Sequence, residues 1–499
     1  MLVALGNLHA KVLRATDDET DWLRSKESGL VFDDKKKLFA NGKVEKVRFF
    51  DVIDGTFPAG FLPVTAKRAA TASIKIETVD QRAKPTFNGI VKPVAWLRDY
   101  QEGAVDTCIK ETRGIIKVPT GGGKTEIAIG VVNKVPVRWL FLVHRKTLLE
   151  QSAQRYELRN RGETAGRIGE GKWKVGQRFT VATFQTLAAA YRKAHQLTLE
   201  GDFTKMKELT AFFDQFEGVI VDECHVLPAD SFWRVAMLLR NAYYRIGISG
   251  TPLDREDQRS VFAIGALGPQ IYEILAARLI EEGRLARPLI RMVPVKHEFN
   301  QLDKWGLKRS WDWKKVYDEG VVRSKERNLT LITAVQKAEK PALVFVKDIL
   351  HGQAFHRALV KRNIKTDFVW GKASLQTRQA VVRRLERGDL DVLVCSVIFQ
   401  EGVDIPELRS VIIASGGKSV IAALQRIGRG MRRPDGKETF EVWDVADDGN
   451  EWLARHAKQR RLAYQREGYS VTITPLILSS TATASQPQSS LDLVEKSTA

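Results

Sequence analysis

The amino-acid sequence predicts an α/β chain with two parallel sheets in tandem, and three observations predict it. Apolar runs of strand length alternate with helical stretches from Trp96 to about Leu285, the pattern of a parallel sheet covered by helices. A second series of the same kind starts near Pro341, with the runs Ala342-Leu343-Val344-Phe345-Val346, Asp391-Val392-Leu393-Val394-Cys395 and Val411-Ile412-Ile413-Ala414. Early in the first series, between a buried strand and an apolar helix, stands Pro119-Thr120-Gly121-Gly122-Gly123-Lys124-Thr125, a glycine loop in the setting that binds phosphate.

Residues 1–90 carry mixed charge, the turn signals Asn41-Gly42 and Asp54-Gly55, and the β-prone run Val47-Arg48-Phe49-Phe50-Asp51-Val52-Ile53, which predict a small α+β accessory domain. Residues 91–285 make the first α/β domain. There Gly114-Ile115-Ile116-Lys117-Val118 is the strand before the loop, and Glu126-Ile127-Ala128-Ile129-Gly130-Val131-Val132 lies in the helix after it. Residues 286–335 are expected as a linker or insertion, with Trp305, Trp311 and Trp313 among basic residues. Three readings stay open for that segment: a linker, a packed insertion, or a nucleic-acid contact through base stacking. Residues 336–475 make the second α/β domain, and the Ser-, Thr-, Ala- and Gln-containing stretch 476–499 is expected to be disordered.

A length of 499 residues suits two or three domains. Lys and Arg number 79 against 60 Asp and Glu, a formal net charge of +19, which favours a polyanionic partner such as nucleic acid. Cys108, Cys224 and Cys395 form no CxxC pair and no metal-ligand spacing, so neither a disulfide framework nor a zinc site is indicated. A reducing, cytoplasmic setting is the expectation. The sequence holds no run of about 18 uninterrupted apolar residues and no charged start leading into a long apolar stretch, so no membrane span and no secretion are expected.

The chemistry follows from residue types at these places. A loop that is nearly all glycine lets backbone N–H groups close around a triphosphate, while Lys124 meets the β- and γ-phosphates and the Thr125 hydroxyl ligates Mg²⁺. The usual first glycine of that pattern is Val118 here. Phe216-Glu217-Gly218-Val219-Ile220-Val221 leads into Asp222-Glu223-Cys224-His225, two acids past the end of an apolar strand, where open α/β sheets bind ligands. Asp222 is placed to hold the Mg²⁺ shell and Glu223 to polarise the water that attacks the γ-phosphate. Far downstream, Gln425-Arg426-Ile427-Gly428-Arg429-Gly430-Met431-Arg432 offers arginines to phosphate. The expected cofactors are ATP and Mg²⁺.

In this order the chain resembles the superfamily 2 DExH helicases over roughly residues 96–470, with Asp222-Glu223-Cys224-His225 as the DExH box. The resemblance implies two tandem RecA-like parallel-sheet motor domains behind the small α+β N-terminal domain. Leu97-Arg98-Asp99-Tyr100-Gln101 is similar to the family's adenine-contacting element, which assigns Arg98 and Gln101 to the base. Pro119, Thr120, Gly121, Gly122, Gly123, Lys124 and Thr125 form the phosphate cradle, and family loops often carry Ala or Val where Val118 stands. Leu142-Val143-His144-Arg145-Lys146 resembles motif Ia, and Val181-Ala182-Thr183-Phe184-Gln185-Thr186-Leu187 the strand-tracking motif that follows. That implies Arg145, Lys146, Thr183 and Gln185 on the nucleic-acid backbone, contacts that carry no sequence information. Ser249-Gly250-Thr251-Pro252 stands at motif III, where Ala is commoner than Gly250. It implies that Ser249 and Thr251, with His225, couple hydrolysis to movement.

Arg255-Glu256-Asp257, Leu267-Gly268-Pro269-Gln270-Ile271-Tyr272-Glu273 and Glu282-Gly283-Arg284-Leu285-Ala286 resemble the stretch after motif III in XPB-type helicases. In the second series the resemblance places Lys347 of motif IV and Ser396 of motif V near nucleic acid, and Gly402 and Asp404 near the ribose. In motif VI, Arg429 and Arg432 stand as arginine fingers with Gln425 completing the site. Such a finger contributes on the order of 10³–10⁵ in rate. Lys124 and Arg429 belong to different domains, so one ATP meets both only in a closed cleft, and the opening and closing of that cleft is the expected source of movement. Trp22-Leu23-Arg24, Arg48-Phe49-Phe50-Asp51 and Phe57-Pro58-Ala59-Gly60-Phe61-Leu62-Pro63 resemble the N-terminal domain of UvsW-like branch-migration helicases.

The expected function is therefore that of an ATP-dependent DNA helicase or translocase acting on branched or forked DNA, with single-strand-binding or recombination proteins as partners. An RNA helicase shares every ATP-site residue and remains an alternative. A motor that translocates on duplex DNA for a restriction-type complex is another, although no acidic nuclease constellation is evident.

Overall fold

The computed structural model describes residues 1–38, 44–85, 89–253, 257–297, 312–371, 373–396, 405, 407–417, 427, 428, 430, 431 and 436–476. Two compact units divide the chain, Met1–Ile274 and Leu275–Ala499. Among the described residues the first is built on an eight-stranded sheet. Its order is Lys172–Lys174, Gly166–Gly169, Phe179–Thr183, Trp139–Val143, Gly218–Asp222, Tyr244–Ser249, Arg113–Lys117 and Gln270–Glu273. All neighbours are parallel except the outer hairpin of Lys172–Lys174 with Gly166–Gly169. A strand covered on both faces reads as a near-continuous apolar run, as Trp139–Val143 does, and Phe179–Thr183 is likewise buried along its whole length. One face packs into a core with Leu140, Leu142, Val219, Val221, Phe184 and Phe213.

The N-terminal residues belong to this same unit. They form a four-stranded sheet, ordered Thr56–Pro58, His9–Arg14, Leu2–Leu5 and Glu77–Asp80, and a separate hairpin of Val31–Leu38 with Val44–Arg48. The helix Asp17–Leu23 opens on a capping box, with Glu19 N donating to the Thr16 hydroxyl and Thr16 N to the Glu19 carboxylate. This region packs closely on the helix Val261–Leu267. A Cβ added at Gly60 would lie 2.1 Å from the Ile264 carbonyl oxygen, so only glycine permits that approach.

In the second unit the described sheet has seven strands, every pairing parallel. They are ordered Thr366–Val369, Val392–Cys395, Ala342–Phe345, Ser410–Ile413, Thr439–Asp448, Arg287–Lys296 and Ser470–Ile473. Arg287–Lys296 lies inside the 286–335 stretch expected as linker or insertion, yet it pairs along its whole length with Thr439–Asp448. Pro288, Pro294 and three basic residues break up its apolar run, which hid the strand from the sequence pattern. The same stretch adds the helix Lys325–Lys337, capped by the Ser324 hydroxyl. Trp313 packs here: its ring centroid lies 4.4 Å from that of His456 and 6.2 Å from that of Trp452. Trp305, Trp311 and nearly all of the stretch expected as a disordered tail lie outside the described residues.

Candidate active site

Five neighbouring strands of the first sheet run parallel, so their carboxyl ends share one edge. Register confirms it: Thr183 sits opposite Val143, Asp222 opposite Ile248 and Ser249 opposite Lys117. In sheet order that edge carries Thr183, then Arg145, then Asp222 and Glu223, then Ser249 and Thr251, then the phosphate loop. Distant parts of the chain are thus brought to the place where open α/β sheets hold ligands.

The loop follows Arg113–Lys117 and ends at the helix Lys124–Lys134. Val118 N donates to the Ser249 carbonyl at 2.9 Å, tying the loop to the motif III strand. Gly121 (φ 87°) and Gly123 (φ 85°) are left-handed, a conformation that favours glycine, and a Cβ at Gly123 would lie 2.2 Å from Gln101 Nε2. The helix then points its first backbone N–H groups and the positive end of its dipole at the loop. Buried Gln101 buttresses this turn. Its Nε2 donates to the Gly122 carbonyl at 3.1 Å, and its Oε1 accepts from Arg98 N at 3.0 Å. The amide that the resemblance assigns to the base is therefore engaged with the loop, and Arg98 Nη1 lies 3.2 Å from the Tyr100 hydroxyl.

Lys124 Nζ forms an ion pair with Glu223 Oε1. Glu223 itself sits in the left-handed region, φ 49° and ψ 51°, which is uncommon for a residue with a side chain and clusters at functional sites. Its Oε2 accepts from the Ser249 hydroxyl at 3.1 Å and lies 3.3 Å from His225 Nδ1, which is 3.0 Å from Ser249 Oγ. Thr251 N donates to that hydroxyl at 3.2 Å. One chain of contacts therefore joins phosphate loop, DExH box and motif III. Thr251 Oγ1 is buried with no hydrogen-bond partner among the described residues.

Two carboxylates share this buried spot, and their surroundings drive them apart. Burial and the neighbouring Glu223 charge push Asp222 up to about 6, although Lys124 and His144 pull the other way. For Glu223 burial acts upward too, but the Lys124 ammonium and the contact with His225 outweigh it and hold the carboxyl well below the usual range. Asp222 Oδ1 accepts from Glu223 N at 3.1 Å. The oxygen donors suited to Mg²⁺ are this carboxylate and the Thr125 hydroxyl. Mg²⁺ keeps several waters and takes few protein ligands, and a divalent cation would offset the crowded negative charge.

Along the rest of the edge the expected nucleic-acid residues each make contacts within the chain. Arg145 precedes the helix Lys146–Arg159, with its Nε 3.4 Å from His144 Nε2. Lys146 is exposed, 3.7 Å from Glu170, a surface pair of little energetic weight. The buried Thr183 hydroxyl accepts from Thr186 N at 3.4 Å and caps the helix Phe184–Leu199, while Gln185 Nε2 donates to the His144 carbonyl at 2.8 Å. In the second unit Lys347 lies over the Tyr317 ring at 5.0 Å, and Ser396 follows the neighbouring strand Val392–Cys395. Gly402, Asp404, Gln425, Arg429 and Arg432 lie outside the described residues. Sequence reading missed a buried ionic network of Asp444, Asp447, Arg327, Arg460 and His297, whose members are scattered and carry no local signal.

A phosphate loop, a DExH pair and a hydroxyl relay on one edge of a parallel sheet, with a second parallel sheet following, define an ATP-driven motor. The comparisons agree: residues 95–254 match the family model "type III restriction enzyme, res subunit" and residues 325–434 the helicase conserved C-terminal domain. The chain belongs to the superfamily 2 helicases, among the ATP-dependent DNA helicases and translocases related to XPB/Rad25 and UvsW. It is 27% identical over 382 residues to the DNA 3'-5' translocase XPB2 of Sulfurisphaera tokodaii, covering 69% of this chain and 81% of that one. To the ATP-dependent DNA helicase uvsW of Enterobacteria phage T4 it is 26% identical over 361 residues, covering 70% and 68%. A solved fragment assigned to the HsdR subunit of a type I restriction enzyme from Vibrio vulnificus matches with a TM-score of 0.55 at 21% identity, over 87% of this chain and 76% of that one. That likeness shows the fold alone. No described helix is long and apolar enough to cross a membrane.

Proposed function

We propose that this chain is an ATP-driven DNA motor that remodels branched DNA, by fork regression, branch migration of four-way junctions, or unwinding of R-loops and D-loops. The observation that carries this reading is the single sheet edge holding the nucleotide centre at Lys124, Asp222, Glu223 and Ser249 beside Arg145, Lys146 and Gln185. Events at the phosphates and grip on a backbone are then two ends of one rigid row of strands. The net charge of +19 suits a polyanionic track, and the relatives named above include a DNA translocase and a DNA helicase.

In the resting arrangement Lys124 holds Glu223. An incoming γ-phosphate draws the Lys124 ammonium to itself and frees Glu223 Oε1 to orient and deprotonate the attacking water, while Ser249 and His225 keep the other oxygen fixed. Thr125 and Asp222 would hold Mg²⁺, which when bound would supply positive charge to the phosphates. The resemblance assigns Arg429 and Arg432 of motif VI, with Gln425, to the phosphates, and Gly402 and Asp404 to the ribose. Single-strand-binding or recombination proteins are the proposed partners.

The res-subunit match supports a second reading, a motor that moves on duplex DNA without separating strands. Strand separation on a four-way junction, a fork, an R-loop and an RNA duplex, with Lys124→Ala as control, decides between them. Unwinding of the branched DNA species above the RNA duplex is expected. DNA-stimulated ATP hydrolysis with no strand separation would establish the second reading, and preference for the RNA duplex would overturn the DNA assignment.

A further inference from the structure

Arg259 stands eight residues beyond Thr251 and is almost fully buried. Its guanidinium joins three segments. Nη1 donates to Asp34 Oδ2 at 3.0 Å, and Asp34 lies on the N-terminal hairpin strand Val31–Leu38. Nη2 donates to the Pro228 carbonyl and to Asp230 Oδ1, each at 2.7 Å, just past the DExH box. The turn that leads from the catalytic acid to Pro228 is closed by Val226 N, which donates to the Glu223 carbonyl at 3.0 Å, and Leu227 N, which donates to the Cys224 carbonyl at 3.1 Å. Aromatic rings close the same junction. Phe49 and Phe32 of the N-terminal region meet Phe262 at centroid distances of 5.2 and 5.8 Å, Phe49 meets Trp233 at 5.8 Å, and Arg259 lies 4.9 Å from the Phe262 centroid.

We infer that Arg259 is a positioning residue that couples the nucleotide site to the N-terminal hairpin through Asp34. The guanidinium is a planar fork whose donors reach separate acceptors at fixed angles, which a lysine ammonium cannot reproduce. A shift of Glu223 as phosphate enters moves the Pro228 turn. Arg259 holds that turn and passes the shift to a hairpin 225 residues away in sequence. The hairpin thus follows the state of the ATP site. The inference rests on the motor reading above.

Hydrogen exchange of the full-length protein, with and without a non-hydrolysable ATP analogue and Mg²⁺, tests it. In the wild type the analogue changes exchange both at the start of the helix Lys124–Lys134 and in the hairpin strand Val31–Leu38. In Arg259→Lys and Asp34→Asn the helix still responds and the hairpin does not. Asp230→Asn, altering the exposed partner, shows a reduced hairpin response and guards against a core variant that fails to fold. In the same variants DNA-stimulated kcat falls by about three- to tenfold, with KM for ATP and basal turnover unchanged, and the double variant Arg259→Lys/Asp34→Asn is no worse than either single one. A hairpin that ignores nucleotide in the wild type, or responds equally in Arg259→Lys, overturns the inference while leaving the motor reading intact. No response at the helix would take down the nucleotide-site assignment and the inference together.

Discussion

Each unit buries a cluster of charge, and the two clusters are wired in opposite ways. In the first, Asp222 and Glu223 crowd around Lys124, with Glu223 held in a left-handed backbone and Asp222 pushed upward by burial and by its neighbour. In the second, two carboxylates face two guanidiniums. Asp444 accepts from Arg460 Nε at 2.8 Å, Arg460 Nη2 at 3.0 Å and the Tyr464 hydroxyl at 2.7 Å, and Asp447 accepts from Arg327 Nε at 2.9 Å beside His297. Further donors reach backbone carbonyls: Arg460 Nη1 that of Gly417 at 2.7 Å, and Arg327 Nη1 that of Ala414 at 2.8 Å. In the first cluster two buried carboxylates meet one lysine, whereas buried charge that is paired and hydrogen-bonded holds a domain in one conformation.

That contrast is open to attack at several points. The largest effect is expected from exchanging the two clusters' fates. Lys124→Ala brings ATP turnover to background, a loss of about 10³-fold or more, while DNA binding persists, because it removes phosphate grip and not the basic track. Arg460→Met leaves turnover per folded molecule in place but lowers stability by about 3–5 kcal/mol in chemical denaturation, since Asp444 becomes an uncompensated buried charge. An Arg460→Met protein as stable as wild type would erase the distinction. Asp222→Asn should separate activity from stability at a single residue. It abolishes turnover yet raises stability by about 1–2 kcal/mol, the usual cost of a functional site, by removing a buried charge that Glu223 repels. A loss of stability there would mean that the first cluster is as balanced as the second.

The smallest expected effect is on pH dependence. Burial acts upward on Asp447, but Arg327 and the contact with His297 prevail and hold its carboxyl below the ordinary value of 3.8. A folded value below the unfolded one means that its stabilisation is present above 3.8 and lost as pH falls through the folded value. Acid denaturation of the wild type should therefore show a loss of stability below about pH 4 that is absent in Asp447→Asn. Identical acid slopes would remove Asp447 from the account.

Much of the motor centre was legible as strings. The loop 119–125, the acids after the strand Gly218–Asp222 and Ser249-Gly250-Thr251 are each contiguous, and each follows an apolar run that marks its strand locally. The strand Arg287–Lys296 was not legible, because its prolines and charges interrupt the apolar run and only pairing with Thr439–Asp448 makes it a strand. The sequence placed Thr183 at a strand end, and only the structure shows its hydroxyl capping the helix Phe184–Leu199.

What the sequence determined alone is the inventory: which residues can grip phosphate, carry a metal or meet a polyanion, and which short segments hold them. Only the tertiary structure decided who meets whom. Lys124 and Glu223 are 99 residues apart, Arg259 and Asp34 are 225, and Arg327 and Asp447 are 120. Pairings of that range leave no periodic trace, because they are set by sheet order and by the exclusion of water around the partners, and both exist only after the chain has folded.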